Sequence, residues 1–458
     1  MSKPQKVRII TLGCAKNEVD SEEIAGVLSG QGYQVGADAS ADVTIINTCG
    51  FLESAKQESI EAIKKAVRSK GHGKVIVAGC LAQRMGEELA RLAPGADTYV
   101  GVGQMGRFAE IVKETQTSAD QRVDILPPQH LWADIAGRAR TGPAASAYLK
   151  ISEGCDHKCT FCTIPSFRGR HVSKPIERVV EEARHLAATG AKEINLIAQD
   201  VTQYGFDLYQ SFTLPKLLRE LNAVDGIEWI RLLYFYPNRL TDEVIEAIAT
   251  LPKVLNYIDI PLQHVHGDVL RRMHRPWEGE RYLRVFEKLR AAMPDAAIRT
   301  TFIVGFPGET DTEFRSLVDF VHEAQLDRVG AFLFSPEPGT PSATMPGQIP
   351  HRIKKNRYAT LMQAQQKISR RINEGYVGKT LPVLIEEHRQ GWSSGRSFRD
   401  APEIDGLVFV EGEHPIGSFV EARIRDASEY DLYGSAPKGA MAGRKLQPLR
   451  LASPRPAQ

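Results

Sequence analysis

Residues 151–162 read ISEGCDHKCTFC and place Cys155, Cys159 and Cys162 in the spacing C-x3-C-x2-C. Three thiolates on one loop can hold three corners of an iron–sulfur cube. A structural zinc site takes four protein ligands, and His157 inside the triplet is the nearest candidate for the fourth. An iron–sulfur cluster is therefore the favoured prediction. Zinc and an inert cysteine cluster remain as alternatives.

The cysteine triplet follows the first of six short apolar runs that alternate with helical patterns. Six such units predict an incomplete (β/α)6 barrel, although an open parallel sheet gives the same count. In both arrangements the chemistry lies at the carboxyl ends of the strands. The predicted strands are 147–152, 193–198, 229–235, 257–262, 298–304 and 328–334, and the predicted helices are 177–188, 242–251, 281–292 and 313–326.

Three cysteine ligands leave one iron of such a cluster open to an external ligand. At the mouth of a barrel, the amino and carboxylate groups of S-adenosylmethionine suit that position. Electron transfer from the cluster can then cleave the carbon–sulfur bond of the bound molecule. The triplet therefore predicts a cluster that binds and cleaves S-adenosylmethionine.

The other three cysteines, Cys14, Cys49 and Cys80, are spread over the first part of the chain, where the pattern predicts an open parallel α/β domain. Each one follows a predicted strand and has a glycine beside it. Because the carboxyl ends of parallel strands share one edge, the three thiols are expected to converge in one crevice. The alternative is three core cysteines. The predicted strands are 7–12, 43–47 and 74–78, and the predicted helices are 53–68 and 83–92.

Changes of pattern divide the rest of the chain. A Pro-Pro pair, scattered charge and the lack of a sustained period predict a linker before the barrel. Residues 351–380 predict a helix, and the short β-like runs over 381–436 predict a small all-β barrel. From residue 437 onward the sequence looks poorly ordered. The predicted division is 1–115, a linker at 116–146, the partial barrel at 147–375, the small β-barrel at 376–446, and a tail at 447–458.

The composition excludes several classes of protein. Six cysteines in 458 residues are too few for a disulfide-stapled secreted scaffold, and the N-terminal sequence has no apolar run suitable for a signal peptide. No segment approaches the roughly 18 consecutive apolar residues of a membrane span. A formal net charge of +2 excludes a basic coat over the whole surface. We therefore expect a cytoplasmic protein with reduced thiols and no membrane partner.

The triplet resembles the signature of radical S-adenosylmethionine enzymes. Together with the three spread cysteines and the C-terminal β module, it resembles the radical S-adenosylmethionine methylthiotransferase family along nearly the whole chain. Three segments are most similar to the branch of that family that modifies a ribosomal protein. They are ISEGCDHKCTFCTIPSFRGRHVSKP at 151–175, INLIAQDVTQYG at 194–205 and PLQHVHGDVLRRM at 261–273.

The resemblance implies an enzyme with two 4Fe-4S clusters, an OB-like TRAM barrel at the C-terminus, and a need for an electron donor. The triplet would hold the cluster that cleaves S-adenosylmethionine to a 5′-deoxyadenosyl radical, which abstracts hydrogen from an unactivated carbon. The spread cysteines would hold a second cluster, whose open iron carries a sulfur species methylated by another S-adenosylmethionine. The expected product is a methylthio group on the β-carbon of a specific aspartate of small-subunit ribosomal protein S-twelve.

The resemblance also suggests contacts to S-adenosylmethionine. Phe161 resembles the aromatic residue that flanks the adenine in the family, and simple packing is its alternative role. Gln199 and Gly305 follow predicted barrel strands, where they can contact ribose, methionine or adenine. The sequence lacks the Gly-Gly-Glu run that many radical enzymes carry at the second strand. Arg231 and His264 also lie on or just after strands, and a core or rim role is expected for His264.

Close relatives in this family modify an adenosine of transfer RNA, so the charge of the partner-binding surface bears on the substrate. Residues 381–435 carry eleven Asp or Glu and five Lys or Arg, whereas RNA-binding barrels are normally basic. An acidic barrel suits a basic ribosomal protein. Residues 351–380 have eight Lys or Arg against one Glu, so a secondary contact with nucleic acid is possible. The favoured substrate is a protein, free or on the ribosome. Transfer RNA and a non-enzymatic iron–sulfur protein docked on the ribosome are the alternatives.

Overall fold

The computed structural model describes residues 4–36, 41–128, 132, 138–142, 145–276 and 278–436. The tail expected to be poorly ordered, from residue 437 onward, lies outside these residues. None of the helices in the described ranges combines the length and the apolar character that crossing a membrane requires.

The N-terminal unit is a six-stranded sheet in which every neighbouring pair is parallel, in the order β2-β1-β3-β4-β5-β6. Strands β3 and β4 are almost completely buried, as expected where helices cover both faces of a parallel sheet. The predicted open parallel α/β domain is confirmed. The strands are β1 (Lys6–Thr11), β2 (Gln34–Gly36), β3 (Val43–Thr48), β4 (Lys74–Gly79), β5 (Thr98–Val100) and β6 (Arg122–Asp124). The helices are α1 (Ala15–Gly30), α2 (Glu53–Ser69), α3 (Cys80–Met85), α4 (Glu87–Leu92) and α5 (Phe108–Thr117).

The single helix predicted over 83–92 is wrong. Gly86 has a φ of +46° and separates α3 from α4. A positive φ costs little at glycine but ends the regular helix. As a result, α3 begins at Cys80, directly after β4. The short strand β6 lies inside the segment that was predicted to be a linker.

The central unit contains six strands in two parallel sheets, β11-β10-β7 and β12-β13-β14. The two sheets adjoin where Ile230 bridges Val254 and where the Phe235 N–H donates to the Asp259 carbonyl at 2.8 Å. This arrangement confirms the predicted six-unit partial barrel. The strands are β7 (Ser146–Lys150), β8 (Ser152–Glu153), β9 (Val172–Ser173), β10 (Glu193–Ile197), β11 (Trp229–Leu232), β12 (Tyr257–Asp259), β13 (Ala297–Val304) and β14 (Arg328–Leu333), with β8 and β9 forming a separate antiparallel pair.

Helices cover the outside of the partial barrel and bury a large apolar core against its strands. The helices are α6 (Ile164–Arg168), α7 (Ile176–Ala188), α8 (Phe206–Tyr209), α9 (Leu214–Asn222), α10 (Asp242–Thr250), α11 (Gly267–Arg272), α12 (Gly279–Ala292), α13 (Asp311–Ala324) and α14 (His351–Glu374). The helix predicted over 351–380 ends at Glu374, and the chain then enters the third unit.

The third unit is a closed five-stranded barrel in the order β15-β16-β17-β19-β18, which confirms the predicted small β-barrel. Its interior is filled by alternating apolar side chains of the strands. The strands are β15 (Thr380–Arg389), β16 (Trp392–Arg396), β17 (Val408–Glu411), β18 (Phe419–Ala427) and β19 (Leu432–Ser435).

Buried ion pairs join this small barrel to the partial barrel. Arg396 of β16 forms a salt bridge with Glu193 of β10, and Arg328 of β14 pairs with Asp400 at 2.6 Å. Arg231, one of the residues singled out from the sequence, also pairs with Glu193 at 2.9 Å. All five side chains are buried, so the two barrels share one continuous polar interface. Arg231 therefore has a structural role in the core.

Candidate active site

The three spread cysteines lie at the carboxyl ends of β1, β3 and β4, which are adjacent strands of the N-terminal sheet. Cys14 precedes α1 and is exposed, whereas Cys49 and Cys80 are buried. The backbone of Gly13 passes so close to Cys49 that a Cβ added at position 13 would lie 2.8 Å from the Cys49 Sγ. The φ of Gly13 is +96°, so glycine serves both the turn and the close approach. The structure thus brings these three residues to one edge of the sheet.

A buried arginine from the partial barrel reaches this edge. Arg168, the last residue of α6, places Nε and Nη2 at 3.2 Å and 3.1 Å from the Cys80 Sγ. Its Nη2 also donates to the Asn17 Oδ1 at 2.8 Å and to Asp20 at 2.8 Å. Asn17 in turn donates to the backbone carbonyl of Leu12 at 2.7 Å. The cysteine edge is therefore fixed to the partial barrel by charge-assisted hydrogen bonds.

Burial raises the pKa of the Cys49 thiol to about 11 and that of Cys80 to about 12, while Arg168 opposes both shifts. Burial likewise raises the pKa of Cys155 and of Cys162 to about 12. A cysteine must lose its proton to bind a metal, and a bound metal provides the positive charge that makes this favourable. These four thiols fit a metal cluster, which would supply the positive charge that their thiolate form requires.

The cysteine triplet lies on a loop that follows β8. All three cysteines are half-buried, and the Arg275 Nη1 lies 3.9 Å from the Cys159 Sγ. Thr160 fixes the loop to the end of α11, because its N–H donates to the Met273 carbonyl at 3.1 Å and its hydroxyl donates to the Arg272 carbonyl at 2.8 Å. The barrel therefore holds the cysteine loop in place.

His157, the candidate fourth zinc ligand, is engaged elsewhere. Its ring stacks on Tyr236 with 3.7 Å between the ring centroids, and its Nε2 lies 2.7 Å from the Asp200 carboxylate. His171, the next histidine along the chain, is buried with Nε2 at 3.0 Å from the Ser173 hydroxyl. Both geometries disfavour the zinc alternative.

Glu153 connects the two cysteine sets. It lies two residues before Cys155, and its carboxylate accepts from the Arg168 Nη1 at 2.9 Å and from the Gln199 Nε2 at 2.5 Å. The Gln199 Oε1 is buried and has no hydrogen-bond partner in the described part of the chain. An orphaned acceptor of this kind is rare in a native interior. The Gln199 Oε1 is therefore suited to accept a hydrogen bond from a bound molecule, such as the amino group of S-adenosylmethionine.

The structure places the other two predicted S-adenosylmethionine contacts as follows. Phe161 is half-buried and packs against an apolar cluster that includes Met273 and Phe306. Gly305 has a φ of +75°, and its N–H donates to the Glu309 carboxylate at 2.6 Å. A Cβ at this glycine would lie 2.4 Å from the Lys354 side chain. Local packing thus accounts for both residue types, and their contact with a cofactor remains a prediction.

His264 is completely buried, with Nε2 at 3.1 Å from the Glu309 carboxylate. The expected core role for this histidine is therefore confirmed. The same carboxylate accepts from the Gly305 N–H and pairs with Arg357, so three groups hold it at the turn that follows β13.

Two charged residues beside the cysteines were missed by the sequence reasoning. Arg168 lies six residues after Cys162, inside the segment 151–175 that resembles the family. Lys16, two residues after Cys14, is buried and places its ammonium group 3.9 Å from the ring centroid of Tyr234. Burial lowers the pKa of Lys16, and the Cys14 thiolate opposes this shift. The only available signal was proximity to a cysteine, which does not reveal partners that lie far away along the chain.

Comparison with known proteins assigns each unit to a family model. The description "Radical SAM superfamily" matches residues 149–321, and "Uncharacterized protein family UPF0004" matches 6–101. The description "TRAM domain" matches 377–436, which is the closed barrel. Fold and site together define a radical SAM protein with a TRAM domain.

Relatives that match nearly the whole chain identify the family of this radical SAM protein. The chain is 46% identical over 430 residues to "Ribosomal protein uS12 methylthiotransferase RimO" of Moorella thermoacetica, a match that covers 93% of this chain and 98% of the relative. The proteins of the same name from Symbiobacterium thermophilum and Geobacter sulfurreducens are 47% and 45% identical, over 95% and 94% of this chain and 91% and 98% of their own lengths. The chain belongs to the RimO family of methylthiotransferases. It is a radical SAM enzyme whose cofactors are iron–sulfur clusters and S-adenosylmethionine.

A solved structure supports the overall fold. The radical S-adenosylmethionine methyltransferase TsrM from Kitasatospora setae aligns with a TM-score of 0.56, covering 88% of this chain and 80% of its own. The two sequences are 16% identical, so the likeness concerns the fold alone.

Proposed function

We propose that this enzyme transfers a methylthio group to the β-carbon of a specific aspartate of the ribosomal protein uS12, using two 4Fe-4S clusters. The observation that carries the proposal is the division of the six cysteines into two sets of three, linked through Arg168 and Glu153. The printed name of the full-length relatives supports the choice of substrate.

In this proposal Cys155, Cys159 and Cys162 hold one cluster, and Cys14, Cys49 and Cys80 hold the other. When bound, the clusters and S-adenosylmethionine supply a carbon-centred oxidant and a methylthio donor. An unactivated C–H bond is beyond the reach of a general base, which makes such cofactors necessary.

The protein side chains hold and orient these groups. Arg168 donates two hydrogen bonds to the Cys80 sulfur and so stabilises its thiolate form. The Gln199 Oε1 would accept from the amino group of S-adenosylmethionine, while its Nε2 remains bound to Glu153. Phe161 would flank the adenine, and the turn at Gly305 would contact the same ligand.

The charge of the TRAM barrel supports a protein substrate. Two basic side chains of this barrel, Arg396 and Arg399, pair with Glu193 and Asp327 of the partial barrel. Two of its acidic side chains, Asp400 and Asp405, likewise pair with Arg328 and Arg299. These pairs cancel, so the rest of the barrel keeps an acidic excess that suits a basic ribosomal protein. Exposed acidic residues of this surface include Glu413, Glu421 and Asp426.

A second candidate is the modification of transfer RNA adenosine. It is favoured by the exposed basic side chains of α14, which include Lys355, Lys367 and Arg371. RNA contacts depend on such phosphate-neutralising side chains. In the favoured proposal, this helix instead makes a secondary contact with ribosomal RNA when uS12 is modified on the ribosome.

We also propose the domain division 1–115, 116–146, 147–375 and 376–446, with a tail at 447–458. An external electron donor reduces the clusters, and the enzyme acts in the cytoplasm, where its substrate is made and thiols stay reduced.

Anaerobic reconstitution tests the cluster proposal. We expect two clusters per chain by iron and sulfide analysis, and we expect Cys14→Ala and Cys155→Ala each to lose one. The two variants serve as controls for each other, because only Cys155→Ala should abolish reductive cleavage of S-adenosylmethionine to 5′-deoxyadenosine. A single metal site, or bound zinc, contradicts the proposal. Two clusters without any cleavage would point to the non-enzymatic docking protein.

A further inference from the structure

A loop that follows β10, at the mouth of the partial barrel, exposes a cluster of large apolar side chains. Among the described residues twelve such side chains are exposed, and four of them lie within seven consecutive positions. Protein surfaces usually scatter such residues singly, and a cluster of them commonly marks a binding surface. We call residues 204–213 the apolar loop. Its exposed members are Phe206, Leu208, Tyr209 and Phe212, each between 40% and 44% exposed.

Hydrogen bonds hold the apolar loop in one conformation. Its two ends meet where the Thr213 N–H donates to the Tyr204 carbonyl at 3.0 Å. In its middle, the Asp207 carboxylate accepts from the N–H and the hydroxyl of Ser173 at 2.9 Å and 2.6 Å. Compact surface loops with adjacent ends are frequently functional. The exposed side chains are therefore fixed before a partner binds, which lowers the entropic cost of association.

The apolar loop is connected to the loop that carries the cysteine triplet. The Arg239 guanidinium carbon lies 5.2 Å from the ring centroid of Phe212, and the Arg239 Nη1 donates to the Gln203 Oε1 at 2.9 Å. The Gln203 Nε2 donates in turn at 2.9 Å to Asp156, which follows Cys155 directly. A protein segment that presents its target residue to the triplet therefore lies beside the apolar loop.

Two carboxylates beside the apolar loop have no Lys or Arg partner among the described residues. Glu177 is exposed and follows Ile176, whose N–H donates to the Tyr209 hydroxyl at 3.2 Å. In the same part of the chain, the only basic group within 4 Å of Asp207 is the His171 ring, at 3.8 Å. Burial lowers the pKa of His171, so this ring is neutral at pH 7. Apolar side chains edged by uncompensated negative charge suit a basic protein.

We propose that the apolar loop binds a segment of the substrate protein beside the target aspartate, in which lysine or arginine flanks a large apolar side chain. This inference rests on the proposed function, because it takes a basic ribosomal protein as the partner. Packing of that side chain against Phe206, Leu208 and Phe212 removes apolar surface of both proteins from water. Exposed aromatic rings also stack on RNA bases, but the carboxylates at this loop repel phosphate groups.

The test measures binding of fluorescently labelled uS12 to the reconstituted holoenzyme at low and high salt. Leu208→Ser should weaken binding roughly tenfold, because the apolar contact is lost. Leu208→Met should bind as wild type does, because the side chain stays apolar. Glu177→Lys should weaken binding at low salt and have much less effect at high salt. Leu92→Ser is the matched control, because Leu92 is 43% exposed and lies on α4 of the N-terminal unit.

Two further measurements on the same samples separate a binding defect from damage to the enzyme. The urea unfolding midpoint of Leu208→Ser and its cleavage of S-adenosylmethionine without uS12 should both match wild type. Binding of uS12 that Leu208→Ser leaves unchanged overturns the proposal, and so does an equal loss of binding in Leu92→Ser.

Other occupants of the apolar loop give different results. Self-association of the wild type that Leu208→Ser abolishes would assign the loop to a second copy of this chain and overturn the proposal. Binding of a transfer RNA anticodon stem-loop that weakens in Leu208→Ser would assign the loop to RNA, with the same consequence. A wild-type enzyme that cleaves S-adenosylmethionine but does not bind uS12 contradicts the proposed substrate itself, and with it the partner assigned to the loop.

Discussion

Replacing Glu193 by glutamine should loosen the interface between the partial barrel and the TRAM barrel. The Glu193 carboxylate is fully buried and accepts from the Arg231 Nε at 2.9 Å, from Arg396 and from the Ser146 hydroxyl at 3.0 Å. One carboxylate thus neutralises two buried guanidinium groups, one from each barrel. The neutral amide keeps the shape but leaves Arg231 without a carboxylate partner and Arg396 with Glu386 alone, at 2.6 Å.

The size of the effect follows from the electrostatics of the site. Burial alone would raise the pKa of Glu193, but Arg396 and Arg231 outweigh it and hold the pKa at about 2. The gap from the usual glutamate value of about 4.3 corresponds to roughly 3 kcal/mol, at about 1.4 kcal/mol per pKa unit. Removing one partner of a buried ion pair typically costs about 3–5 kcal/mol. We therefore expect Glu193→Gln to lose about 3 kcal/mol of unfolding free energy at pH 7.

The pH dependence has a definite sign. Because the pKa of Glu193 is lower in the folded protein, its stabilisation is present above the unfolded value of about 4.3 and is lost as pH falls toward 2. Wild type and Glu193→Gln should therefore differ at neutral pH and converge in acid. Urea unfolding followed by tryptophan fluorescence measures both quantities.

Glu374→Gln is the matched control, because Glu374 forms an exposed pair with Arg370 on α14. Such pairs contribute less than about 1 kcal/mol. A Glu193→Gln protein within about 1 kcal/mol of wild type at neutral pH would refute the claim that this carboxylate joins the two barrels.

Three further perturbations test other parts of the account. Arg168→Met should make the reduction potential of the Cys80 cluster more negative, because hydrogen bonds to sulfur stabilise the reduced state; equal shifts at both clusters in potentiometric titrations would contradict this. Gly305→Ala should lower the urea midpoint, because Gly305 has a positive φ and an added Cβ would clash with Lys354. Gly339 also has a positive φ but open space around it, so Gly339→Ala should lower the midpoint less. Charge reversal on the TRAM barrel should raise the KM for uS12 and reverse the salt dependence of that KM. SAM cleavage without substrate should stay unchanged. An unaltered KM would contradict an acidic docking surface. The reversed residues are Glu413, Glu421 and Asp426.

The sequence predicted those parts of the fold that rest on local pattern. Strand β4 contains the apolar run VIVA and β3 contains VTII, and a cysteine with a neighbouring glycine follows each run, so the sequence predicted both strands and the parallel sheet. The short strands β2 and β5 have three residues each and escaped detection, because their pairing depends on neighbours in space. The break at Gly86 was missed because the flanking residues continue a helical pattern.

The site shows the same division between local and distant information. The spacing of the cysteine triplet predicts its chemistry from eight consecutive residues. The contact between Arg168 and Cys80 joins positions 88 residues apart, and no local pattern indicates it.

The central claim is that this enzyme methylthiolates uS12. Mass spectrometry of ribosomal proteins and of digested transfer RNA, from cells with and without the gene, tests it most directly. The account predicts that the methylthio group disappears from the target aspartate of uS12 when the gene is removed and returns with the wild-type gene, but not with Cys14→Ala. Loss of the group from transfer RNA adenosine, with uS12 unchanged, would contradict it.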